Sequence, residues 1–114
     1  MPYLKVQTNI ELSKDRKTEV LNDLISLVSK ELDKPEKYVM TLIQDSQIML
    51  FGSSDAPLVY IEFRSIRFPE DQTKALAKSL SHFIKRQLNI DPERIFIQFI
   101  NSEPHMWGYN ASTF

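Results

Sequence analysis

The sequence predicts an α/β (α+β) fold in which two β-α-β units form one four-stranded mixed sheet with both helices on one face. Strand-like and helix-like hydrophobic patterns follow one another twice along 114 residues, a length that suits one compact domain. Two similar tetrapeptides, Lys34-Pro35-Glu36-Lys37 and Asp91-Pro92-Glu93-Arg94, each precede a predicted strand, and their prolines lie 57 positions apart. We therefore predict a single domain, 1–114, with an internal pseudo-repeat at about 2–46 and 58–102.

The first unit is predicted from its hydrophobic spacing. Apolar and polar residues alternate from Leu4 to Thr8, which is typical of a strand with two unlike faces. Ser13 suits the N-cap of a helix, and apolar residues then recur at helical spacing as far as Leu32. Pro35 ends this helix, and Tyr38–Ile43 is predicted to be the second strand.

The second unit follows a short connecting region. Ile48–Phe51 is predicted to be a short strand and 52–57 a turn, and Leu58–Phe63 then forms the next long strand. Pro69 begins a second helix, which carries its apolar stripe to Leu88. The last long strand is predicted at Ile95–Ile100.

The two strands of the second unit are apolar at nearly every position, which is typical of strands buried on both faces. Because right-handed crossovers place both helices on one face of the sheet, the other face needs a different cover. We therefore expect a second copy of the chain on that face, in a homo-oligomer whose subunit number this pattern does not fix.

Composition excludes several classes of function. The formal net charge is −1, and the 14 basic and 15 acidic residues are interspersed, which argues against a nucleic-acid partner. With no cysteine, disulfides and thiolate catalysis are excluded. The start of the chain lacks the pattern of a signal peptide, and no long apolar stretch predicts a membrane helix. We expect a cytoplasmic protein.

Neither histidine has a second histidine or a carboxylate at ligand spacing, so we predict no metal site at His82 or His105. The order of strands and helices also suits a ferredoxin-like ligand-binding or RNA-binding module. The absence of a basic surface counts against the RNA-binding alternative.

Seven short segments, in collinear order along essentially the whole chain, carry a resemblance. They are Met1-Pro2, Thr8-Asn9, Lys34-Pro35 with Tyr38, Phe51-Gly52-Ser53-Ser54, Ser65-Ile66, Pro92-Glu93-Arg94, and Asn110-Ala111-Ser112-Thr113-Phe114. The chain resembles the tautomerase superfamily and, within it, the macrophage migration inhibitory factor and D-dopachrome tautomerase branch. The resemblance implies a homotrimer with active sites between subunits, and keto-enol conversion of aryl 2-oxo acids such as phenylpyruvate without a cofactor.

Pro2 is the candidate catalytic base. Enolisation removes a weakly acidic proton next to a carbonyl, and a base does this best when its pKa lies near the working pH. A free α-amine has a pKa of about 7.7–8.0, and burial or a nearby cation lowers it further. Met1 must first be removed, because an amide nitrogen has no basic lone pair.

The resemblance also assigns residues around the base. Lys34 takes the place of the lysine that receives the substrate carboxylate, and Ile66 that of the residue whose backbone amide helps to hold it. Gln98 aligns with an asparagine that reaches the substrate from a neighbouring subunit. Phe96 replaces a tyrosine whose hydroxyl lies close to the proline, so dopachrome-like substrates are disfavoured. An aryl pocket is predicted from four further aromatic residues, Tyr38, Trp107, Tyr109 and Phe114.

A second class of function stays open. Vertebrate relatives act as cytokines that are secreted without a signal peptide, so the resemblance also allows a protein-interaction role with weak or vestigial tautomerase activity. Retention of Met1 or an inert Pro2 would favour that alternative.

Overall fold

The computed structural model describes residues 1–114. Six strands and two α-helices follow one another in the order β1 (Tyr3–Thr8), α1 (Lys14–Leu32), β2 (Met40–Gln44), β3 (Val59–Ile66), α2 (Thr73–Leu88), β4 (Ile95–Ser102), β5 (Gly108–Tyr109) and β6 (Ser112–Thr113).

Four strands form the main sheet in the order β2-β1-β3-β4. β1 pairs with β2 in parallel and with β3 antiparallel, and β3 pairs with β4 in parallel. The sheet is therefore mixed, and each parallel pair is joined through a helix, as parallel strands require. The predicted fold class is confirmed.

The core lies between the sheet and the two helices. Alternate residues of β1 and β3 are buried, whereas their neighbours face the opposite side of the sheet, as the two-residue period of a strand dictates. Both helices bury an apolar stripe against this one face, and the core positions of the helices are Val20, Leu24 and Val28 in α1 and Leu76, Leu80, Phe83 and Ile84 in α2.

The ends of the helices follow the local sequence. Ser13 caps α1 as predicted, because its Oγ accepts a hydrogen bond from the Arg16 backbone N–H at 3.1 Å. The helix ends in a left-handed residue, Asp33, before Pro35 is reached. The second helix begins later than predicted, since Pro69 precedes a 3₁₀ turn at Glu70–Gln72.

Of two predicted strands in the first half, one forms with a later start and the other does not form. Tyr38 lies in a 3₁₀ turn, Glu36–Tyr38, and β2 starts at Met40. The segment Ile48–Phe51 is not a strand. It finds no neighbouring strand and makes only one bridge, between Phe51 and Ser54, so its β-rich composition has no ladder to join.

The open face of the sheet is more polar than the sequence analysis expected. Lys5 lies opposite Glu62, and Gln7 lies opposite Tyr60, on the side away from the helices. Arg64 pairs with Glu62 at 3.3 Å on the same side. The outward positions of the second unit are therefore not uniformly apolar, because those of β3 include the charged residues Glu62 and Arg64.

The two parallel pairs differ by one residue in register. Val6 lies opposite Ile43, whereas Phe63 lies opposite Phe99. If Leu4 is matched with Ile61 as predicted, Ile43 then corresponds to Phe99 and not to Ile100. The internal repeat therefore stays a prediction, with this correction to its second half.

The C-terminal tail forms a structure that the sequence analysis did not predict. β5 and β6 pair as a hairpin with a two-residue turn, and the turn residues Asn110 and Ala111 both have positive φ.

Neither α-helix has the length and apolar character that a membrane-spanning helix needs. No group of three or more histidine or carboxylate side chains is placed to hold a metal ion.

Candidate active site

A cavity of about 540 Å³ opens beside the N-terminus, between the start of β1, the start of β2 and the C-terminal tail. We call it the N-terminal cavity. It is mostly apolar, and its lining residues are Met1, Pro2, Tyr3, Lys37, Tyr38, Val39, Met40, Thr41, Leu42, Trp107, Gly108 and Tyr109. Its volume is in the range of small-molecule sites, roughly 300–1,000 Å³.

Pro2 lies on the wall of this cavity and is itself buried. Its carbonyl oxygen accepts a hydrogen bond from the Met40 backbone N–H at 3.0 Å. This bond extends the β1–β2 pairing beyond Tyr3 and Met40, the first paired residues. The position of Pro2 is thus fixed by backbone pairing at the end of β1.

The α-amine of the chain, on Met1, has a pKa below its ordinary value. The pKa of the Met1 amine is lowered from 8.0 to about 6, first because burial disfavours the charged form and second because Lys34 repels it. Pro2, one residue further along, lies on the same cavity wall and is more buried than Met1. An amine on Pro2 is therefore expected to experience the same two effects.

Aromatic rings form one side of the cavity. Tyr38 and Tyr109 meet edge to face with ring centroids 5.7 Å apart, and Phe114 stacks on the outer side of Tyr109 at 5.8 Å. Trp107 also lies on the cavity wall and is half-buried. Edge-to-face and stacked pairs of this kind are the arrangements that aromatic rings prefer, and they present a flat apolar surface.

The tail that supplies Trp107 and Tyr109 is held mainly through backbone bonds. The Phe114 N–H lies within hydrogen-bonding distance of the carbonyl oxygens of Pro104 and Trp107, at 3.2 and 3.3 Å. The hairpin pairs Tyr109 with Ser112. Half of the aromatic wall therefore depends on the last residues of the chain.

Two lysines lie near the cavity in different positions. Lys34 acts on the terminal amine through its charge but is not part of the cavity wall. Lys37 is on the wall, and its Nζ lies 5.1 Å from the centroid of the Tyr38 ring. Sequence reasoning selected Lys34 and missed Lys37, although the adjacent Tyr38 and the repeated tetrapeptide could have drawn attention to it.

Of the predicted site residues, Pro2, Tyr38, Trp107 and Tyr109 share this cavity. Phe114 joins them indirectly, through its stacking on Tyr109. The aliphatic wall, at Val39, Met40 and Leu42, was not predicted, because its position follows from the pairing of β2 with β1 and leaves no local signal.

Phe96 and Gln98 lie elsewhere in the chain. Both are exposed on β4, which is separated from β1 by β3. Gln98 accepts a hydrogen bond from the Tyr60 hydroxyl at 2.7 Å. Ile66 is closer to Pro2, because the antiparallel register puts Arg64 opposite Tyr3 and carries Ile66 to the same end of the sheet, but its side chain is buried away from the cavity wall.

Phe96 borders a second hollow of about 410 Å³, which we call the β4 groove. Its ring lies 4.3 Å from that of Phe51, centroid to centroid. The groove is lined by Met49, Leu50, Phe51, Gly52, Leu58, Val59, Tyr60 and Phe96. Ile48, Leu50 and Phe96 are strongly exposed, so a continuous apolar surface surrounds this groove.

The N-terminal cavity therefore combines an amine of lowered pKa, an aromatic wall and nearby positive charge. Such an amine accepts protons at neutral pH, and the positive charge favours an anionic ligand. An acid with a flat apolar group matches this combination.

Comparison with known proteins agrees with the fold and the order of the motifs. The sequence model of the family described as macrophage migration inhibitory factor (MIF) matches residues 1–114. The chain is 34% identical over 115 residues to the macrophage migration inhibitory factor of Xenopus tropicalis, covering 100% of this chain and 99% of the relative. It is 30% identical to the homolog from Brugia malayi over the same shares.

Solved structures show the same architecture. The macrophage migration inhibitory factor homologue from Prochlorococcus marinus superposes with a TM-score of 0.91 at 32% identity, covering 98% of each chain. The macrophage migration inhibitory factor from Trichinella spiralis superposes with a TM-score of 0.91 at 27% identity, covering 98% of this chain and 99% of the other.

Proposed function

The chain belongs to the macrophage migration inhibitory factor family, a branch of the tautomerase superfamily, and from this premise we propose that it is a keto-enol tautomerase. Its substrates are phenylpyruvate-like aryl 2-oxo acids, Pro2 is the general base, and no cofactor takes part. The observation that carries the proposal is the burial of Pro2 on the wall of an aromatic cavity where burial and Lys34 lower the pKa of the adjacent Met1 amine to about 6.

The reaction is a proton transfer with no net change in composition. After Met1 is removed, the free nitrogen of Pro2 takes a proton from the carbon next to the substrate carbonyl. The electron pair of that C–H bond forms the carbon–carbon double bond of the enol, the carbonyl oxygen gains a proton from water, and the protonated Pro2 then releases its proton to solvent. In the reverse direction the protonated Pro2 returns its proton to carbon, which is the ketonisation step.

The cavity orients the substrate for this transfer. In the proposal the aryl ring lies against Tyr38, Tyr109 and Trp107, and the carboxylate faces the positive charge of Lys34. The secondary amine of Pro2 needs little ordering because its ring is fixed at the end of β1. Holding the reacting atoms in this way replaces a bimolecular encounter by a positioned one.

We further propose that the site is completed in a homotrimer. Phe96 and Gln98 cannot reach Pro2 of their own chain through the intervening β3, so they would act on the N-terminal cavity of a neighbouring subunit. The exposed apolar surface around the β4 groove supports association there. The Ile66 backbone amide, at the same end of the sheet as Pro2, would assist Lys34 with the carboxylate.

The direct test is an ultraviolet assay of phenylpyruvate ketonisation. The protein is first checked by mass spectrometry for loss of Met1, and Pro2→Gly is measured alongside it with circular dichroism as the control for folding. We expect a rate well above buffer that falls by about 10²–10⁴-fold in the variant, the range for loss of a general base. Folded protein with a free Pro2 and no rate above buffer would reject the enzyme and favour an interaction role.

The pH dependence tests the base itself. The neutral amine is the reactive form. Burial and Lys34, which lower the pKa of the Met1 amine, should also lower the pKa of a free Pro2 amine, so activity is lost as pH falls through that lowered pKa. We expect kcat/KM to rise with pH and to level off before the ordinary α-amine pKa of about 7.7–8.0 is reached, as titration of a single group with a lowered pKa requires. A profile that keeps rising to pH 9 would mean that the Pro2 amine is not shifted in the working enzyme.

A further inference from the structure

Lys37 is a cation without a partner at the cavity rim. The ion pairs of the chain are Arg16–Glu19, Lys17–Asp45, Arg64–Glu62 and Lys85–Asp91, and none of them involves Lys37 or Lys34. The neighbouring carboxylate of Glu36 accepts a hydrogen bond from the Ser26 hydroxyl at 3.0 Å, on the side of α1. The positive charge of Lys37 is thus available to a ligand.

The two lysines act on different parts of the cavity. Lys34 is close enough to the terminal amine to lower its pKa, whereas Lys37 has no such effect. The Nζ of Lys37 lies instead over the ring of Tyr38, which meets Tyr109 edge to face. One charge therefore serves the end of the cavity that holds the base, and the other serves the aromatic wall.

A substrate in the proposed orientation extends from one charge towards the other. Its oxo acid lies beside Pro2 and Lys34, and its ring lies along Tyr38 and Tyr109. Lys37 lines the same cavity, with its Nζ 5.1 Å from the centroid of the Tyr38 ring, so a substituent on a substrate ring that lies along Tyr38 is placed to approach this charge. The cavity volume of about 540 Å³ leaves room for such a substituent.

We propose that Lys37 forms a second anion subsite and that the enzyme favours aryl 2-oxo acids that carry an additional anionic group on the ring. This inference rests on the proposed tautomerase function and names its substrate class. Lys37 is a specificity-determining residue in this scheme, because its charge acts on the substituent and not on the proton transfer.

The test compares two substrates that have nearly the same shape and different charge, 4-carboxyphenylpyruvate and 4-carbamoylphenylpyruvate. We expect wild-type kcat/KM to favour the carboxylate by about two- to fivefold, the range for an exposed ion pair. Lys37→Met should remove this preference and Lys37→Glu should reverse it, with thermal unfolding unchanged because the side chain is exposed.

Two controls separate the subsite from other effects. Lys30→Met removes an exposed lysine of α1 that is not on the cavity wall and should leave the preference intact. Added salt should weaken the preference, since exposed charges are screened. A wild-type preference for the amide, or a carboxylate preference that survives Lys37→Met, would overturn the proposal.

A binding measurement separates failure of the subsite from failure of the proposed enzyme. The probe is 3-(4-carboxyphenyl)propanoate, which has no oxo group, compared with its 4-carbamoyl analogue by calorimetry. If the wild type converts no keto acid but binds the dianion more tightly in a Lys37-dependent way, only the tautomerase assignment fails. Conversion of phenylpyruvate without any charge preference in binding would reject the subsite alone.

Discussion

The N-terminal cavity and the β4 groove lie at opposite edge strands of one sheet. Both are apolar, and their volumes are similar, about 540 and 410 Å³, but their chemistry differs. The cavity holds an α-amine with a lowered pKa and a cation, Lys37. The groove's only titratable lining side chain is Tyr60, whose pKa is raised by burial and by Glu62. A hollow becomes a candidate site through its titratable groups, while apolar surface alone favours association.

The two hollows also differ in how their walls are held. The guanidinium of Arg94 donates to the carbonyl oxygens of Phe51, Ser54 and Ala56 at 3.0, 3.1 and 2.8 Å, and lies over the Phe51 ring at 5.1 Å. One side chain therefore braces the groove. The cavity wall instead depends on a short terminal hairpin, which leaves its aromatic residues more able to adjust to a ligand.

The strongest test of the comparison is to move the free amine within the cavity, from Pro2 to Met1. A variant that retains Met1, such as one with the processing enzyme withheld during production, keeps Pro2 as an amide without a basic lone pair. We expect ketonisation to fall by about 10²–10⁴-fold. Trimming the same material afterwards should restore the rate, and full activity with Met1 in place would place the base elsewhere.

The next largest effect is expected in the β4 groove. Phe96→Glu puts a charge into the exposed apolar surface, and burying an unpaired charge between subunits costs several kcal/mol. We expect the subunit dissociation constant to rise at least about a hundredfold in analytical ultracentrifugation, because that cost exceeds 2.7 kcal/mol. Met106→Glu is the control, since Met106 is also a strongly exposed apolar residue and lies outside the groove. Unchanged assembly in Phe96→Glu would remove the groove from the interface.

A smaller effect should follow from removing the Arg94 hydrogen bonds that hold the wall of the β4 groove. Arg94→Met leaves the carbonyl oxygens of the 51–57 turn without their charged donor, and hydrogen bonds to charged groups contribute about 1.5–3 kcal/mol. We expect the free energy of unfolding to fall by about 2 kcal/mol in urea, with the partly exposed carbonyls recovering some bonds to water. Arg86→Met, at an exposed helix position, should change stability by less than about 0.5 kcal/mol.

The smallest effect is expected in the hairpin that bears the cavity wall. Ala111 has φ +61°, which costs an alanine but not a glycine. Ala111→Gly should stabilise the hairpin by about 0.5–1 kcal/mol, seen as slower hydrogen exchange at β5 and β6. Ala75→Gly in α2, where φ is helical, should instead destabilise the protein by about 1 kcal/mol. Faster exchange in Ala111→Gly would contradict the turn assignment.

Much of the fold was predictable because its signals are local. The alternation at Leu4–Thr8 and the apolar stripes of both helices each report one element's buried face. The segment Ile48–Phe51 has equally suitable residues but no partner strand, so its β propensity predicted a strand that does not form. Propensity describes what a segment can do, and pairing depends on residues far away in the chain.

The candidate site was predictable only in part for the same reason. The sequence by itself determined the position of Pro2 next to the terminus and the supply of aromatic and cationic residues. Only the tertiary structure decided that Tyr38, Trp107 and Tyr109 share a wall with Pro2, that Lys37 lies at its rim, and that Phe96 and Gln98 lie beyond β3. Strand order and the docking of the tail follow from packing between distant segments, which no local pattern contains.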